Sequence, residues 1–288
     1  MMTDPKLIIH GGFFSESTDQ NMKQAKADAL KEIVEQARAF LQNHSAAEAA
    51  VFAVSLLEDN PLFNAGLGSQ IQMDGKIRLS ASLMDGDRQT FSGVINIQDV
   101  RNPIRIAERL QDEDDKVLSG KEALDYARKN GFPPFNPETT DRKKEFEQKL
   151  ATRKGTGTVG CVALDSEGRL AAATSTGGKG FEMPGRVSDS ATVAGNYANR
   201  LAAVSCTGVG EDIVNAGVAA RIVTRVTDGL SLAEANERTF AELKEMDGFA
   251  GAISISASGE VFHIDSHPFM VWAAYDGGIR MFEGDQKA

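Results

Sequence analysis

The sequence predicts an α+β fold in which antiparallel sheets are covered by helices, and three observations carry that prediction. Apolar runs of strand length come in pairs joined by short turns, as Val159–Leu164 and Leu170–Thr174 do around Asp165-Ser-Glu-Gly168. Helical periodicities arrive in groups, so the regular alternation of a parallel βαβ series is missing. With 288 residues, 41% apolar and 25% charged, the chain is long enough for the sizeable core of one large domain or two small ones.

The elements follow in order. Leu7–His10 is a short apolar run stopped by Gly11-Gly12, which reads as a buried strand. From Asp19 to Leu41, Met22, Ala25, Ala29, Leu30, Ile33, Ala37 and Phe40 keep the period of an amphipathic helix. Ser45 and Glu48 form a capping box that opens a second helix, expected to end near Glu58. Gly-rich turns and strands over Ile77–Met84 and Gly93–Ile97 come next, then a helix opened by Asn102-Pro103. Ser119 and Glu122 are expected to cap a further helix that Asn130-Gly131 ends. A third apolar strand is expected at Ala202–Cys206, then helices over Ile213–Val226 and Ser231–Met246, the second with Ser231 and Glu234 as its capping box. Strands over Ile253–Ile255, Val261–Ile264, Met270–Tyr275 and Ile279–Phe282 close the chain.

Residues 131–157 differ in character. They hold three prolines, and 141–154 carries six Lys and Arg against three acids, so little of the stretch can be buried. A mobile surface segment is expected, with a solvated charged helix over 141–151 as the other reading.

Composition narrows the function classes. The net charge of −10 argues against nucleic acid or an anionic membrane as a partner. Two cysteines, Cys161 and Cys206, are too few for a disulfide framework; as small buried residues they suit a reducing, cytoplasmic compartment. The start of the chain lacks the apolar core of a secretory leader. The best apolar run, Ala49 to Leu57, is broken at Ser55 and falls short of the roughly 18 residues that read as a membrane span.

Several motifs fail on physical grounds. Gly155-Thr-Gly157-Thr-Val-Gly160 satisfies G-x-G-x-x-G, but a strand follows it where a phosphate would need a helix N-terminus. His263 and His267 would stand about 13 Å apart on a strand, too far to share one zinc ion, so no metal centre is expected there. No G-x-S-x-G exists for a serine nucleophile, whereas paired carboxylates remain open because they assemble in three dimensions. What stands out is Thr and Gly crowded into loops directly after strands: Gly157-Thr158, Ala173-Thr-Ser-Thr-Gly-Gly178, Pro184-Gly-Arg-Val-Ser-Asp-Ser190 and Ser205-Cys-Thr-Gly-Val-Gly-Glu211.

In this order these motifs resemble the plant-type asparaginases, or isoaspartyl peptidases, a family of N-terminal-nucleophile hydrolases. Ile9-His-Gly-Gly12, Pro61-Leu-Phe-Asn-Ala-Gly66, Met84-Asp-Gly86 and Asn102-Pro103 also have counterparts there, so the resemblance spans residues 7 to 283. It implies a four-layer αββα sandwich in one domain, made as a precursor that cuts itself at Gly157–Thr158. An α subunit, 1–157, with its mobile linker at about 131–157, and a β subunit, 158–288, would result. The freed Thr158 would be the nucleophile. Its own α-amine, which titrates near ~8, would serve as the base that a threonine hydroxyl needs.

By the same resemblance, the Thr207 hydroxyl and Gly208 N–H form the oxyanion hole, Thr176 hydrogen-bonds the nucleophile, and Asn64 helps to arrange it. Arg186 grips the substrate α-carboxylate, Asp189 receives its α-ammonium, and Gly210 lines that end. The carbonyls of Leu57, Glu58, Asn60, Phe63, Ala65 and Leu67 would hold a structural Na⁺, with no other cofactor. The implied substrates are small molecules, isoaspartyl dipeptides and L-asparagine, and the implied assembly is a homodimer of cleaved pairs. Departures are Phe13-Phe14, expected to narrow the leaving-group side, Ser80, Ser188, and the stretch Lys179-Gly-Phe-Glu-Met183. The rival readings are a glycosylasparaginase-like amidase, against which His10-Gly-Gly12 and Gly177-Gly178 weigh, and an unprocessed, non-catalytic relative.

Overall fold

The computed structural model describes residues 3–15, 18–149 and 157–282. In chain order the elements are β1 (Lys6–Phe13), α1 (Gln20–Leu41), α2 (Ala46–Glu58), β2 (Leu79–Asp85), β3 (Thr90–Ile97), α3 (Pro103–Leu110), β4 (Val117–Ser119), α4 (Gly120–Lys129) and α5 (Thr140–Lys149). They continue with β5 (Val159–Leu164), β6 (Leu170–Thr176), β7 (Asn196–Ala198), β8 (Ala202–Gly208), α6 (Gly210–Ala216), α7 (Val218–Thr227), α8 (Leu232–Glu245), β9 (Ala250–Ser256), β10 (Val261–Asp265), β11 (Met270–Tyr275) and β12 (Ile279–Met281). One turn of 3₁₀ helix, Asp189–Ala191, precedes β7.

Two sheets stack face to face. The larger runs β12-β11-β1-β5-β6-β2-β3-β4 and the smaller β10-β9-β8-β7. Period-2 alternation assigns each strand's side chains to one of two layers. Leu7 and Ile9 face the helices α1 to α4, whereas Ile8 faces the second sheet. Cys161 and Ala163 of β5 likewise point outward, Val162 and Leu164 inward. On β8, Ala202, Val204 and Cys206 face α6 to α8, and Ala203 turns to the inter-sheet layer. Helix, sheet, sheet, helix is thus the order of layers, the αββα sandwich the resemblance implies. Both cysteines are free and buried.

Capping chemistry set two helix starts as expected. Ser45 and Ser231 each accept from the backbone N–H three residues on, and Glu48 and Glu234 reach back. Such a cap contributes about 1 kcal/mol. Asn102 and Ser119 differ: neither side chain caps its helix. The Asn102 amide instead donates to Ser55 O (3.3 Å) and Asp59 Oδ1 (3.1 Å) at the end of α2. The helix expected over Ile213–Val226 is two, because Gly217 adopts a left-handed conformation between α6 and α7. The large sheet is not wholly antiparallel, since the edge strand β4 pairs parallel with β3.

The mobile segment expected over 131–157 is corrected in its first part. The Phe135 N–H donates to Asp99 O (3.0 Å), Arg142 Nε to Gly68 O (2.6 Å), and the Phe146 ring stacks on Phe181 at 4.8 Å. These contacts fasten α5 to the body, so the charged-helix reading holds over Thr140–Lys149. The remainder, 150–156, lies outside the described residues. Among the described residues, no helix is long and apolar enough to cross a membrane.

Candidate active site

Thr158 and Thr176 come together because β5 and β6 are neighbours whose ends meet, Val159 opposite Ser175. A cavity of about 40 Å³ opens beside them, lined by Gly157, Thr158, Thr176, Arg186, Asp189, Gly208 and Gly210, with Gly178, Lys179, Ser188 and Val209 completing it. Seven of the residues expected at a site therefore share one wall. Thr207 is buried next to Gly208 on β8, and its Oγ1 has no hydrogen-bond partner among the described residues. Asn64 reaches the same point from the loop after α2.

The peptide before Thr158 is held by its carbonyl. Gly157 O accepts from Asn64 Nδ2 (2.7 Å) and from Thr176 Oγ1 (3.2 Å). The Thr158 hydroxyl donates to Thr176 Oγ1 (3.2 Å), which also accepts the Gly178 N–H (3.1 Å). Asn64 is itself oriented, because its Oδ1 accepts from the Gln70 N–H (2.9 Å) and its amide also donates to Gly178 O (2.5 Å). Two donors on one carbonyl oxygen polarise that carbonyl toward a nucleophile.

His10 was given no role from its sequence spacing, yet it lies beneath the nucleophile. Its Nδ1 is 3.0 Å from Thr158 O, which can only accept, so Nδ1 carries the proton. Nε2 then accepts from Ser205 Oγ (3.0 Å), which in turn accepts from Thr174 Oγ1 (2.7 Å). Burial pushes the imidazole down to about 3, with the Thr158 bond opposing, so it stays neutral. It is a fixed donor, not a base.

At the other end of the cavity, Arg186 faces a partner that sequence reasoning left without a role. Its Nε and Nη2 both donate to Glu211, each at 2.9 Å, and Lys179 Nζ joins the same carboxylate at 3.0 Å. Among the described residues Arg186 makes no direct ion pair with Asp189 and acts on it as a nearby charge, which leaves the two untied to each other and able to take the two ends of a zwitterionic head. The Arg186 hydrogen bonds hold Glu211 down to about 2. Asp189 is buried, Oδ2 has no partner among the described residues, and desolvation pushes its carboxyl up to about 7 against the pull of Arg186. Glycine is required at 210, where an added Cβ would lie 2.7 Å from Arg186 Nη2 and 2.8 Å from Asp189 Oδ1. Gly208 adopts φ +135°, and a Cβ there would meet Phe249 O at 2.6 Å.

A hydroxyl at a held carbonyl, beside a buried cavity with an Arg–Asp head, is the arrangement against which known proteins can be set. A family model described as asparaginase matches residues 3–281. The chain belongs to this asparaginase family. It is 45% identical to an isoaspartyl peptidase/L-asparaginase of Nostoc sp., over 95% of this chain and 92% of that one. An isoaspartyl peptidase of Escherichia coli is 39% identical over 88% of each chain. A plant-type L-asparaginase of Pyrococcus furiosus is 33% identical over 95% of this chain and 97% of its own.

The loop that bears Asn64 has a further feature in this asparaginase-family chain. The loop after α2 curls around its own carbonyls: an added Cβ at Gly66 would lie 2.5 Å from Glu58 O, and one at Gly68 would lie 2.5 Å from Pro61 O and 3.0 Å from Phe63 O. Glu58 O and Asn60 O each accept one backbone N–H, which leaves each carbonyl a second lone pair, whereas Leu57 O accepts from both Asp59 and Asn60. Such hard oxygen donors suit Na⁺. The Glu58 side chain ties the loop to β6, accepting from Ser175 Oγ (2.7 Å) and from the Ile104 N–H (3.1 Å).

Phe13 and Phe14 do not line the cavity beside the intact Gly157. Phe13 is buried between the sheets and packs on Phe249 at 4.7 Å, and Phe14 packs outward on Phe282 at 5.4 Å. Ser80 pairs in register with Thr176 and accepts the Asn96 N–H, and Ser188 lines the cavity. The two histidines weighed as metal ligands diverge: His263 stacks on Trp272 and His267 on Phe249.

Proposed function

We propose that this chain is an autoprocessed threonine amidohydrolase that releases L-aspartate from β-aspartyl dipeptides and L-asparagine. The observation that carries the reading is the Gly157 carbonyl, held by Asn64 and Thr176 next to the Thr158 hydroxyl. In maturation, Thr158 Oγ attacks the Gly157 carbonyl carbon as its proton passes to Thr176 Oγ1 and the Thr176 proton passes on to the Gly157 oxygen, which Asn64 also holds. The C–N bond then breaks, the nitrogen takes a proton as the α-amine of Thr158, and water hydrolyses the resulting ester. Asn64→Ala should slow this cleavage by roughly 10²–10³-fold, the scale of one oxyanion donor, as followed by a gel time course.

After cleavage the neutral α-amine accepts the Thr158 hydroxyl proton while Oγ attacks the substrate β-carbonyl. Thr207 Oγ1, without a hydrogen-bond partner among the described residues, and the Gly208 N–H would receive that oxyanion. Arg186 takes the α-carboxylate, Asp189 the α-ammonium, and Gly210 leaves the room. The cavity of about 40 Å³ beside an intact Gly157 holds little more than one water, so substrate enters only once the linker departs. The carbonyls of Leu57, Glu58, Asn60, Phe63, Ala65 and Leu67 would hold Na⁺, which would brace the loop bearing Asn64. Two free, buried cysteines support a cytoplasmic setting, and a homodimer of cleaved pairs is the assembly this reading carries. Incubating the protein with β-Asp-Leu, L-asparagine and N-acetylglucosaminyl-asparagine tests the reading. Aspartate from the first two is expected, and cleavage of the third alone would overturn it.

A further inference from the structure

We propose that Lys179 is a specificity-determining residue that takes the terminal carboxylate of the leaving amino acid, and so favours β-aspartyl dipeptides over L-asparagine. The inference rests on the β-aspartyl reading above and adds a residue to it. Arg186 and Lys179 are the two cationic side chains on the cavity wall. A zwitterionic aspartyl head is matched by Arg186 and Asp189 alone. A β-aspartyl dipeptide brings one more carboxylate, which needs one more cation, whereas L-asparagine brings none.

Lys179 is paired with Glu211 but can leave it for that task. It shares Glu211 Oε1 with Arg186 Nε, at 3.0 and 2.9 Å, so withdrawal of the ammonium still leaves Glu211 gripped by two Arg186 donors. The Arg186 side chain is 12% exposed and confined, whereas that of Lys179 is 46% exposed on a flexible stem. Gly178 and Gly180 flank it at positive φ, where an added Cβ would strike the Glu182 and Gln70 side chains, so the backbone that carries Lys179 is packed tightly on both sides.

Lys179→Met keeps the stem and removes the charge; Lys179→Arg restores a cation. Each is assayed with β-Asp-Leu, with β-Asp-Leu amide, whose terminal carboxylate is blocked, and with L-asparagine. Rates are normalised to the cleaved fraction found by intact mass. The methionine variant should lose about tenfold in kcat/KM on β-Asp-Leu, through KM, which corresponds to about 1.4 kcal/mol of binding. The amide and L-asparagine should change less than about twofold, and the arginine variant should recover most of the loss. An equal fall on all three substrates, or no change on β-Asp-Leu, overturns the role of Lys179. If the unaltered protein cleaves none of the three, the β-aspartyl reading itself falls, and this inference with it.

Discussion

Thr158→Ala is expected to leave one uncut 288-residue chain and to abolish hydrolysis by roughly 10⁴-fold or more, the scale of losing a nucleophile. The fold should survive. Among the described residues the Thr158 hydroxyl makes one hydrogen bond, to Thr176 Oγ1 at 3.2 Å, and a bond of that kind contributes about 1 kcal/mol. A melting temperature close to that of the unaltered precursor, with neither cleavage nor aspartate release, is therefore the expected combination. Thr158→Ser retains the oxygen and should still cut. Cleavage at the same bond in the alanine variant would show that another group attacks, and the nucleophile assignment would be wrong.

Asp189→Asn is expected to destroy activity and yet stabilise the uncut protein at alkaline pH. Burial holds the folded carboxyl near 7, above its ordinary value near 4. The folded state therefore binds the proton more tightly, and the stability this lends is complete below about pH 4 and is lost as the pH rises through 7. An asparagine does not titrate, so its advantage should be absent at pH 4, widen to about pH 7 and then level off. One differential proton corresponds to at most about 1.4 kcal/mol per pH unit, or a few degrees in Tm for a chain of this size. The same change removes the anion that receives the α-ammonium, and kcat/KM for L-asparagine should fall at least ~30-fold. In the unaltered enzyme, kcat/KM should rise as the pH passes through about 7. An asparagine variant less stable than its parent at pH 8 would mean that Asp189 is a paired structural carboxylate.

Local chemistry explains which parts of this molecule were legible in its sequence. Capping boxes at Ser45 and Ser231 are closed within four residues, and the continuous apolar runs in β1, β5, β6 and β8 announce strands buried on both faces. The threonines at the ends of β6 and β8 could be read for the same reason, since each stands at a visible strand-to-loop transition. What escaped depends on contacts between distant segments. β4 and β7 are three residues long and exist through pairing with β3 and β8. His10, Thr174 and Ser205 come from three strands in two sheets, so no spacing connects them. Glu211 stood in a quoted motif, but its grip on Arg186 spans 25 residues and is made in space. Asn102 stands at the cap position, but its amide donates to Ser55 O and Asp59 Oδ1 at the end of α2, and its side chain makes no cap bond.

The central claim is that the chain frees its own nucleophile at one peptide bond. Intact-mass measurement of the purified, unaltered protein, with N-terminal sequencing and an aspartate-release assay on the same sample, tests it most directly. The expected result is two polypeptides that meet between Gly157 and Thr158, the second beginning with a free threonine amine, and aspartate release that rises with the cleaved fraction. Full hydrolysis of L-asparagine or β-Asp-Leu by an uncut chain, or a new terminus at any residue other than Thr158, would contradict it.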